Sequence, residues 1–456
     1  MDRAQPLRAQ LERELRAAIR SGRLRAGVRV PPSRALADEL AVSRGVVVEA
    51  YSQLVAEGYL VARPGDGTRV APGLTHEPAG PATPWAARPR VRYDLRSGVP
   101  DFSLFPRRAW QSATATALRE LPDAALSYGS RRGARRLRTA LADHLGRVRA
   151  VVADPERLFI SAGAVHGIGV LGHALRERGA RRIAVEDPAW RAIGDVIAQS
   201  GLALVPVAVD EDGLDVEALE RTDADAVVLS PAHQYPTGAV LAPERRSRLI
   251  AWARRRGTLI IEDDYDSEYR YDREPIAALQ GLAPDCVAYV GSASKTLAPA
   301  MRLGWLVVPG HLVSDMAVQH GAARAMPGAI PQAAYAALLE RGEIDRHLRR
   351  TRREYQARRS ALIRAMADHL PQASLGGAAA GLHLIAWLPD GADEAAIAAA
   401  AADRGVAIHP LREPCAVTAP RPPALLLGYG LVRAAAIPPA IKALAGAAAG
   451  ARRPTA

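Results

Sequence analysis

The chain has 456 residues, enough for two or three domains that each bury a core of their own. Hydrophobic residues make up 49% and charged residues 24%, a globular composition, and no apolar run approaches the roughly 20 residues of a membrane-spanning helix. The net charge of +12 favours a polyanionic partner, although charge alone indicates only non-specific attraction. No signal-peptide pattern opens the chain, and Cys286 and Cys415 form neither a disulfide framework nor a metal site, so we expect a cytoplasmic protein without bound metal.

The first 71 residues show three short helical patterns followed by a turn-rich hairpin. Apolar residues repeat at helical spacing from Leu7 to Ile19, and Ser33 and Ser43 are candidate N-caps of a second and a third helix. The run Arg63-Pro-Gly-Asp-Gly67 then separates two short strand candidates. Three helices and a two-stranded wing are the order of a winged helix-turn-helix, in which the third helix enters the major groove of DNA.

Two arginines of this N-terminal module stand where they can contact phosphate. Arg34 and Arg44 fall in the first turns of the second and third helices, whose N-termini add their own partial positive charge. On pattern alone, a small protein-interaction module with solvated arginines fits equally well.

The runs that build this module resemble the DNA-binding domain of GntR-type regulators along almost its full length. They are Pro31-Pro-Ser-Arg-Ala-Leu-Ala-Asp-Glu-Leu-Ala-Val-Ser-Arg44, Ala50-Tyr-Ser-Gln-Leu-Val-Ala-Glu-Gly-Tyr-Leu60 and Gly65-Asp-Gly-Thr68. The resemblance implies that double-stranded promoter DNA is contacted by Arg34, Ser43, Arg44, Arg63 and Gly67. Pro32 and Val46 replace a serine and a threonine that are usual in the family, and Val46 cannot supply a hydroxyl contact to the DNA backbone.

Residues 72–92 lack any helical or strand period, are dense in proline, alanine and glycine, and predict a linker. After the linker, short β-rich runs alternate with helical ones, which predicts an α/β sheet covered by helices on both faces. The strand candidates are 158–161, 182–186, 203–207, 226–230, 258–262, 287–291 and 303–308. Further strand candidates at 382–388 and 424–428 predict a small α+β lobe from about residue 345, within one large domain that spans residues 93–456.

One of the two lysines of the chain lies among side chains that can bind phosphate. In the run Val287-Ala-Tyr-Val-Gly-Ser-Ala-Ser-Lys-Thr-Leu-Ala-Pro-Ala-Met-Arg-Leu-Gly-Trp305, a strand delivers Ser292, Ser294 and Lys295, and Arg302 follows. Two hydroxyls and a guanidinium can hold phosphate oxygens while a lysine forms a Schiff base with an aldehyde. The run resembles the lysine motif of fold-type I pyridoxal-phosphate enzymes, which implies pyridoxal 5'-phosphate as the cofactor and Lys295 as its attachment site.

Further positions match the same enzymes in chain order. The resemblance implies that Asp263 keeps the pyridine nitrogen of the cofactor protonated and that Tyr265 hydrogen-bonds the ring oxygen. It also implies phosphate-binding amides at Ala164 and Val165, and an aromatic ring at Trp190 stacked on the cofactor. Taken singly, each of these positions fits a core or loop role as well.

Two tyrosines bear on the same comparison. Tyr128 resembles the tyrosine that reaches the phosphate of the neighbouring subunit, which implies a dimer. Tyr235, in the run Ser230-Pro-Ala-His-Gln-Tyr-Pro-Thr-Gly238, stands where aminotransferases have an asparagine.

A competing signal is the run Gly167-Ile-Gly-Val-Leu-Gly172, which matches the G-x-G-x-x-G pattern of nicotinamide-cofactor sites. The preceding strand candidate ends near Ser161, so these glycines fall inside a helix and not in the strand-to-helix turn that the pattern requires. We interpret them as positions of close helix packing.

A GntR-like winged helix, a linker and a fold-type I aminotransferase-like domain in that order resemble the MocR/GabR family of bacterial regulators over essentially the whole chain. The resemblance implies a head-to-tail homodimer in which pyridoxal phosphate is a sensing group and a small-molecule effector modulates promoter binding. Two alternatives stay open: a working aminotransferase with a DNA-binding appendage, and a repressor whose large domain only dimerises.

One departure concerns the arginine with which aminotransferases grip the α-carboxylate of the substrate. The stretch Ala424-Leu-Leu-Leu-Gly-Tyr-Gly430 places Leu426 at that position, and a leucine cannot pair with a carboxylate. We therefore expect an effector that is an amine or the cofactor itself and not an ordinary α-amino acid. Arg412, Arg421 and Arg433 are the arginines that would take over the role if the loop runs differently.

Overall fold

The computed structural model of the chain describes residues 5–72, 91–127, 129–272, 276–323 and 326–450. The backbone divides into two compact units, Met1–Pro89 and Arg90–Ala456. Residues 73–90, most of the predicted linker, lie outside the described residues, as does Tyr128. The domain boundaries drawn from the sequence therefore stay a prediction. In the described part of the chain, no helix is both long enough and apolar enough to cross a membrane.

The N-terminal unit contains the three helices and the hairpin that the sequence predicts. Its elements are α1 (Leu7–Arg20), α2 (Ser33–Leu40), α3 (Arg44–Ala56), β1 (Leu60–Arg63) and β2 (Gly67–Val70). Apolar side chains such as Leu11, Val47 and Leu54 are buried between the helices because they repeat on one face of each helix. β1 and β2 pair antiparallel, and Gly67 adopts a φ of +77°, which glycine tolerates without strain.

The starts of α2 and α3 differ from the predicted caps. α2 begins at Ser33 itself and is preceded by Pro32, so the prediction that Ser33 caps this helix is wrong. The physical reason is that proline has a fixed φ and no amide hydrogen, so it suits the boundary and shifts Ser33 into the first turn. Ser43 does occupy the N-cap position of α3, but its side chain accepts no hydrogen bond from the helix amides.

The C-terminal unit alternates helices and strands along most of its length. Its helices are α4 (Arg107–Glu120), α5 (Arg135–Arg149), α6 (Ala164–Glu177), α7 (Arg191–Gln199), α8 (Val216–Glu220), α9 (Pro243–Arg256), α10 (Val313–Ala323), α11 (Ala329–Glu340), α12 (Glu343–His369), α13 (Glu394–Asp403) and α14 (Ile437–Gly450). Its strands are β3 (Tyr93–Asp94), β4 (Leu158–Ser161), β5 (Arg182–Asp187), β6 (Ala189–Trp190), β7 (Ala203–Asp210), β8 (Gly213–Leu214), β9 (Ala226–Leu229), β10 (Leu259–Asp264), β11 (Val287–Ser292), β12 (Gly304–Val307), β13 (Ser374–Gly376), β14 (His383–Trp387), β15 (Val406–Ala407), β16 (His409–Pro410), β17 (Cys415–Ala416) and β18 (Ala424–Gly428).

An eight-stranded sheet lies at the centre of this unit, in the order β4-β12-β11-β10-β9-β5-β7-β8. Five neighbouring strands, from β11 to β7, run parallel, whereas β12 is antiparallel to β4 and β11, and β8 is antiparallel to β7. The predicted strands of this sheet are all confirmed, and the prediction of an α/β fold is correct. Because parallel strands end at one edge, the loops after β9, β10 and β11 come together.

Adjacent residues on the strands pack into opposite helical layers. Phe159 and Ile261 join a cluster with side chains of α6, α7 and α10. Ile160 and Ile260 join clusters on the other face, with side chains of α5 and α9 respectively. Both faces of the sheet are therefore buried, which explains why its strands are continuous apolar runs and not alternating ones.

The three glycines of the G-x-G-x-x-G run lie within α6 and face close neighbours. A Cβ atom would come within 2.8 Å of Leu306 at Gly167, within 2.6 Å of Val196 at Gly169 and within 2.7 Å of Ser200 at Gly172. Their interpretation as packing glycines is confirmed.

A separate four-stranded sheet, in the order β13-β14-β18-β16, forms the small lobe. Side chains alternate along β18, so that Leu425 and Leu427 join the main core. Leu426 points to the other side of this sheet, into a small cluster with Ile385 against which Tyr235 packs.

Candidate functional site

A cavity of about 370 Å³ lies at the edge where the parallel strands of the large sheet end. Nine of the residues predicted to contact the cofactor line it: Ala164, Val165, Trp190, Asp263, Tyr265, Ser292, Ser294, Lys295 and Arg302. The tenth, Tyr128, lies outside the described residues. The fold thus brings together residues from four separate stretches of the sequence.

Lys295 follows β11, and its Nζ donates a hydrogen bond of 2.6 Å to the carbonyl oxygen of Gly98. Burial lowers the pKa of this amine, while the carboxylates of Asp266 and Asp263 act in the opposite direction. Burial therefore favours the neutral amine, which is the form that attacks a carbonyl carbon.

Asp263 stands near the end of β10, and its Oδ1 is buried without a hydrogen-bond partner among the described residues. Burial and the adjacent Asp264 raise the pKa of Asp263 to about 7. A protonated pyridine nitrogen would supply both the missing donor and the missing positive charge. The buried, unpartnered oxygen of Asp263 is therefore consistent with a site for pyridoxal phosphate.

The neighbouring Asp264 points to the other face of the sheet, where it is fully paired. Its Oδ2 accepts hydrogen bonds of 2.8 Å from Arg149 Nε and 2.7 Å from the Tyr289 hydroxyl, and its Oδ1 accepts one from Ser267. These buried bonds fix the end of β10 and, with it, the position of Asp263.

Tyr265 reaches the cavity beside a histidine that the sequence analysis did not assign. The Tyr265 oxygen lies 3.0 Å from His233 Nδ1, which is also 2.9 Å from Asp266 Oδ1. Because a carboxylate only accepts, the His233 Nδ1 proton points to Asp266. The hydroxyl hydrogen of Tyr265 is thereby left for another acceptor, such as a phenolate oxygen of a bound ring.

The opposite end of the cavity is built to hold an anion. α6 begins at Ala164 after Gly163, whose φ is +112°, and no side chain caps its first amides. Ser292, Ser294 and Arg302 line the same cavity, and Ser292 pairs in register with Gly304, which lies against Gly163 at the start of this helix. Free helix amides, hydroxyls and a guanidinium are the donors that phosphate oxygens accept from.

The first residue of β12, Gly304, packs against Gly163 at the start of α6. A Cβ at Gly304 would lie 2.7 Å from Gly163 Cα, so only glycine permits the contact. The geometry of this end of the cavity thus depends on backbone approach as well as on side chains.

Sequence reasoning missed several polar residues of the cavity wall: Ser97, Asp266, His383 and His409. Ser97 follows β3, and the two histidines lie on β14 and β16 of the small lobe. Asp266 directly follows Tyr265 in the acidic run after β10, whereas Ser97, His383 and His409 belong to no motif, because only the tertiary fold places the small lobe against the large sheet.

Leu426 stands in β18, at the position where aminotransferases are expected to have the carboxylate-binding arginine. Leu426 is fully buried in β18 and does not line the cavity. Arg421 donates hydrogen bonds to the carbonyl oxygens of Asp187 and Val209, and Arg412 lies 3.7 Å from Glu394. Among the described residues that line the cavity, Arg302 at the anion end is the single arginine.

In the N-terminal unit, the five predicted DNA contacts fall into two groups. Arg34, Ser43 and Arg44 are exposed at the adjoining starts of α2 and α3, where Arg44 Nε lies 3.4 Å from Ser33 Oγ. Arg63 and Gly67 flank the turn of the β1–β2 hairpin. Their contacts to DNA stay a prediction.

Comparison with protein families gives a match for each unit. Residues 7–70 match the family of bacterial regulatory proteins called the gntR family, and residues 93–424 match aminotransferase class I and II. The second match covers most of the chain.

Whole-chain relatives and solved structures agree with these matches. The chain is 36% identical over 380 residues to the HTH-type pyridoxine biosynthesis transcriptional regulator PdxR of Corynebacterium glutamicum, covering 82% of each chain. It is 32% identical over 445 residues to the probable rhizopine catabolism regulatory protein MocR of Rhizobium meliloti, covering 93% of this chain and 90% of that one. An archaeal alanine:glyoxylate aminotransferase structure superposes with a TM-score of 0.73 at 26% identity, covering 78% of this chain and 91% of that one.

Proposed function

Because the chain belongs to the MocR-type regulators, with a gntR-family module joined to an aminotransferase class I and II domain, we propose that it is a pyridoxal-phosphate-dependent, DNA-binding transcription regulator. Within it, residues 1–71 bind promoter DNA and residues 93–456 hold the cofactor and sense an effector. The observation that carries the cofactor assignment is the buried, unpartnered Oδ1 of Asp263 in the same cavity as Lys295.

Each end of the cavity has a distinct task toward the cofactor. Ser292, Ser294 and Arg302 would hold the phosphate together with the first amides of α6, and Asp263 would hold the ring nitrogen. The half-exposed ring of Trp190 would cover one face of the cofactor ring. Pyridoxal phosphate, when bound, supplies an aldehyde that condenses with amines and a ring that withdraws electrons.

The effector acts by changing the relative stability of two arrangements of the protein that differ in DNA affinity. A ligand shifts such an equilibrium only by its difference in affinity for the two arrangements. We propose a head-to-tail homodimer as the unit that binds DNA, since the family resemblance implies one. The effector is an amine or the cofactor itself, because Leu426 offers a carboxylate no partner.

A catalytic aminotransferase with a DNA-binding appendage is the second candidate. The absence of any second arginine from the described wall of the cavity favours the regulator, since a transaminase needs to orient an amino-acid carboxylate.

The experiment is to reduce the purified holoprotein with borohydride and to map the modified peptide. We expect the pyridoxyl group on Lys295, and none after Lys295→Ala. The matched control is Lys442→Ala, which removes the other lysine of the chain from α14. Pyridoxyl on Lys442, or on no residue, would contradict the cofactor assignment.

A further inference from the structure

A chain of hydrogen-bonding side chains lines the cavity beside Leu426. Ser97 Oγ lies 2.9 Å from the Tyr235 hydroxyl and 3.2 Å from His409 Nδ1. All three residues line the cavity together with His383. β16 carries His409 directly opposite Leu426 in the register of the small-lobe sheet.

Tyr235 also covers the position where a carboxylate-binding arginine would stand. It packs against the apolar cluster that contains Leu426, Ile385 and Leu411, so apolar surface lies behind its ring. Its ring centroid is 5.0 Å from that of His383, whose Nε2 donates to the Pro236 carbonyl oxygen at 3.1 Å. The hydroxyl of Tyr235 is therefore presented at the cavity with apolar side chains behind its ring.

Two of the groups on this wall, His383 and Tyr235, are uncharged near neutral pH. Burial and the neighbouring His233 lower the pKa of His383 to about 3, and burial raises the pKa of Tyr235 above its ordinary value. The carboxyl groups of Asp263 and Asp266 also line the cavity. An effector carboxylate placed beside Tyr235 would lose its hydration without an arginine to pair with.

A neutral hydroxyl has the properties that such a wall requires. It can donate one hydrogen bond and accept others, so it fits either orientation of the Ser97 and Tyr235 hydroxyl hydrogens. Replacing a carboxylate by a hydroxymethyl group keeps a polar contact while it removes the charge.

We infer that Ser97, Tyr235 and His409 form an effector subsite that selects amines carrying a hydroxyl group over the corresponding α-amino acids. This inference rests on the proposed function, because it assigns the ligand class of the same cavity. Ser97 and Tyr235 determine specificity by direct contact with the hydroxyl of the ligand.

The test compares a matched pair of ligands, L-alaninol and L-alanine, which differ only in hydroxymethyl against carboxylate. Full-length holoprotein is titrated with each, and the visible absorbance of the bound cofactor is recorded. We expect L-alaninol to produce its half-maximal change at a concentration at least about tenfold lower than L-alanine does, the factor that one well-placed hydrogen bond contributes.

Single substitutions test whether Tyr235 and Ser97 cause the preference for L-alaninol. Tyr235→Phe and Ser97→Ala should each weaken the response to L-alaninol about fivefold to tenfold and leave the response to L-alanine nearly the same. The matched control is Tyr271→Phe, which removes the hydroxyl of a partly buried tyrosine that donates to the Gly381 carbonyl oxygen outside the cavity. Leu426→Arg should reduce or reverse the preference for L-alaninol over L-alanine. If Leu426→Arg does not fold, His409→Arg serves the same purpose.

The outcomes separate this inference from the proposed function. Equal responses to the two ligands, a preference for L-alanine, or no response to L-alaninol in the millimolar range would overturn the subsite, even though the cofactor and the DNA still bind. A parent protein that holds no cofactor would instead contradict the proposed function.

Discussion

Replacing Asp263 by asparagine is expected to weaken cofactor binding and, at high pH, to stabilise the cofactor-free protein. The pKa of Asp263 is raised from 3.8 to about 7, mainly by burial. Between these values the folded state holds a proton that the unfolded state has released. The free energy of unfolding therefore falls as the pH rises from about 4 to 7, the direction expected for an acid whose pKa is raised by folding.

The magnitude follows from the size of the shift. One pKa unit corresponds to about 1.4 kcal/mol, so the full shift gives a penalty of the order of 4 kcal/mol above pH 7. Asparagine carries no charge at any pH. Asp263→Asn should accordingly stabilise the cofactor-free protein by about 2–4 kcal/mol at pH 8 and change its stability little at pH 4.

The same substitution removes the partner of the pyridine nitrogen. A hydrogen bond to a charged group contributes about 1.5–3 kcal/mol, so the Kd for pyridoxal phosphate should rise roughly 10-fold to 150-fold.

Two measurements check both effects: urea unfolding of the cofactor-free protein at pH 4 and pH 8, and absorbance titration with pyridoxal phosphate. The control is Asp315→Asn, which removes a half-exposed carboxylate of α10 that pairs with Arg178. The reasoning is refuted if the stability change at pH 8 equals that at pH 4, or if cofactor affinity is unaffected.

Two further predictions concern the DNA-binding unit and helix packing. Arg44→Ala should weaken promoter binding about tenfold and lower the slope of log Kd against log salt concentration by about one. Fluorescence anisotropy at several salt concentrations measures both quantities. Binding like that of the parent protein would show that the start of α3 does not contact DNA. Gly169→Ala should destabilise the C-terminal unit by about 1–3 kcal/mol in urea unfolding, since its Cβ would lie 2.6 Å from Val196. The control is Gly146→Ala in α5, where the added Cβ would lie at an ordinary 3.7 Å from the Val151 carbonyl oxygen; it should stabilise the unit by about 0.5–1 kcal/mol. Equal effects at the two glycines would contradict the packing interpretation.

The parts of the site that could be predicted are those whose chemistry is contiguous in the sequence. Ser292, Ser294 and Lys295 lie together after β11, and Asp263 and Tyr265 lie together after the apolar part of β10. Strand ends in a parallel sheet meet at one edge, so a motif at each strand end is sufficient to predict that these residues converge.

The residues that could not be predicted reach the cavity by tertiary packing alone. Ser97, His383 and His409 lie on short or irregular segments, and each needs the small lobe to be docked before its role is visible. Ser33 was misassigned for a local reason: Pro32 sets the start of α2, and this steric preference outweighs the capping preference of serine.

The central claim is that one protein couples the cofactor in its C-terminal unit to DNA binding by its N-terminal unit. The most direct measurement is the Kd of the full-length protein for an operator, selected by the protein itself from random duplex DNA, with and without pyridoxal phosphate at fixed salt. The account predicts that the Kd changes at least about fivefold when the cofactor is added, and that Lys295→Ala diminishes this change. Equal affinity for the operator in the two states, with the cofactor demonstrably bound to Lys295, would contradict it.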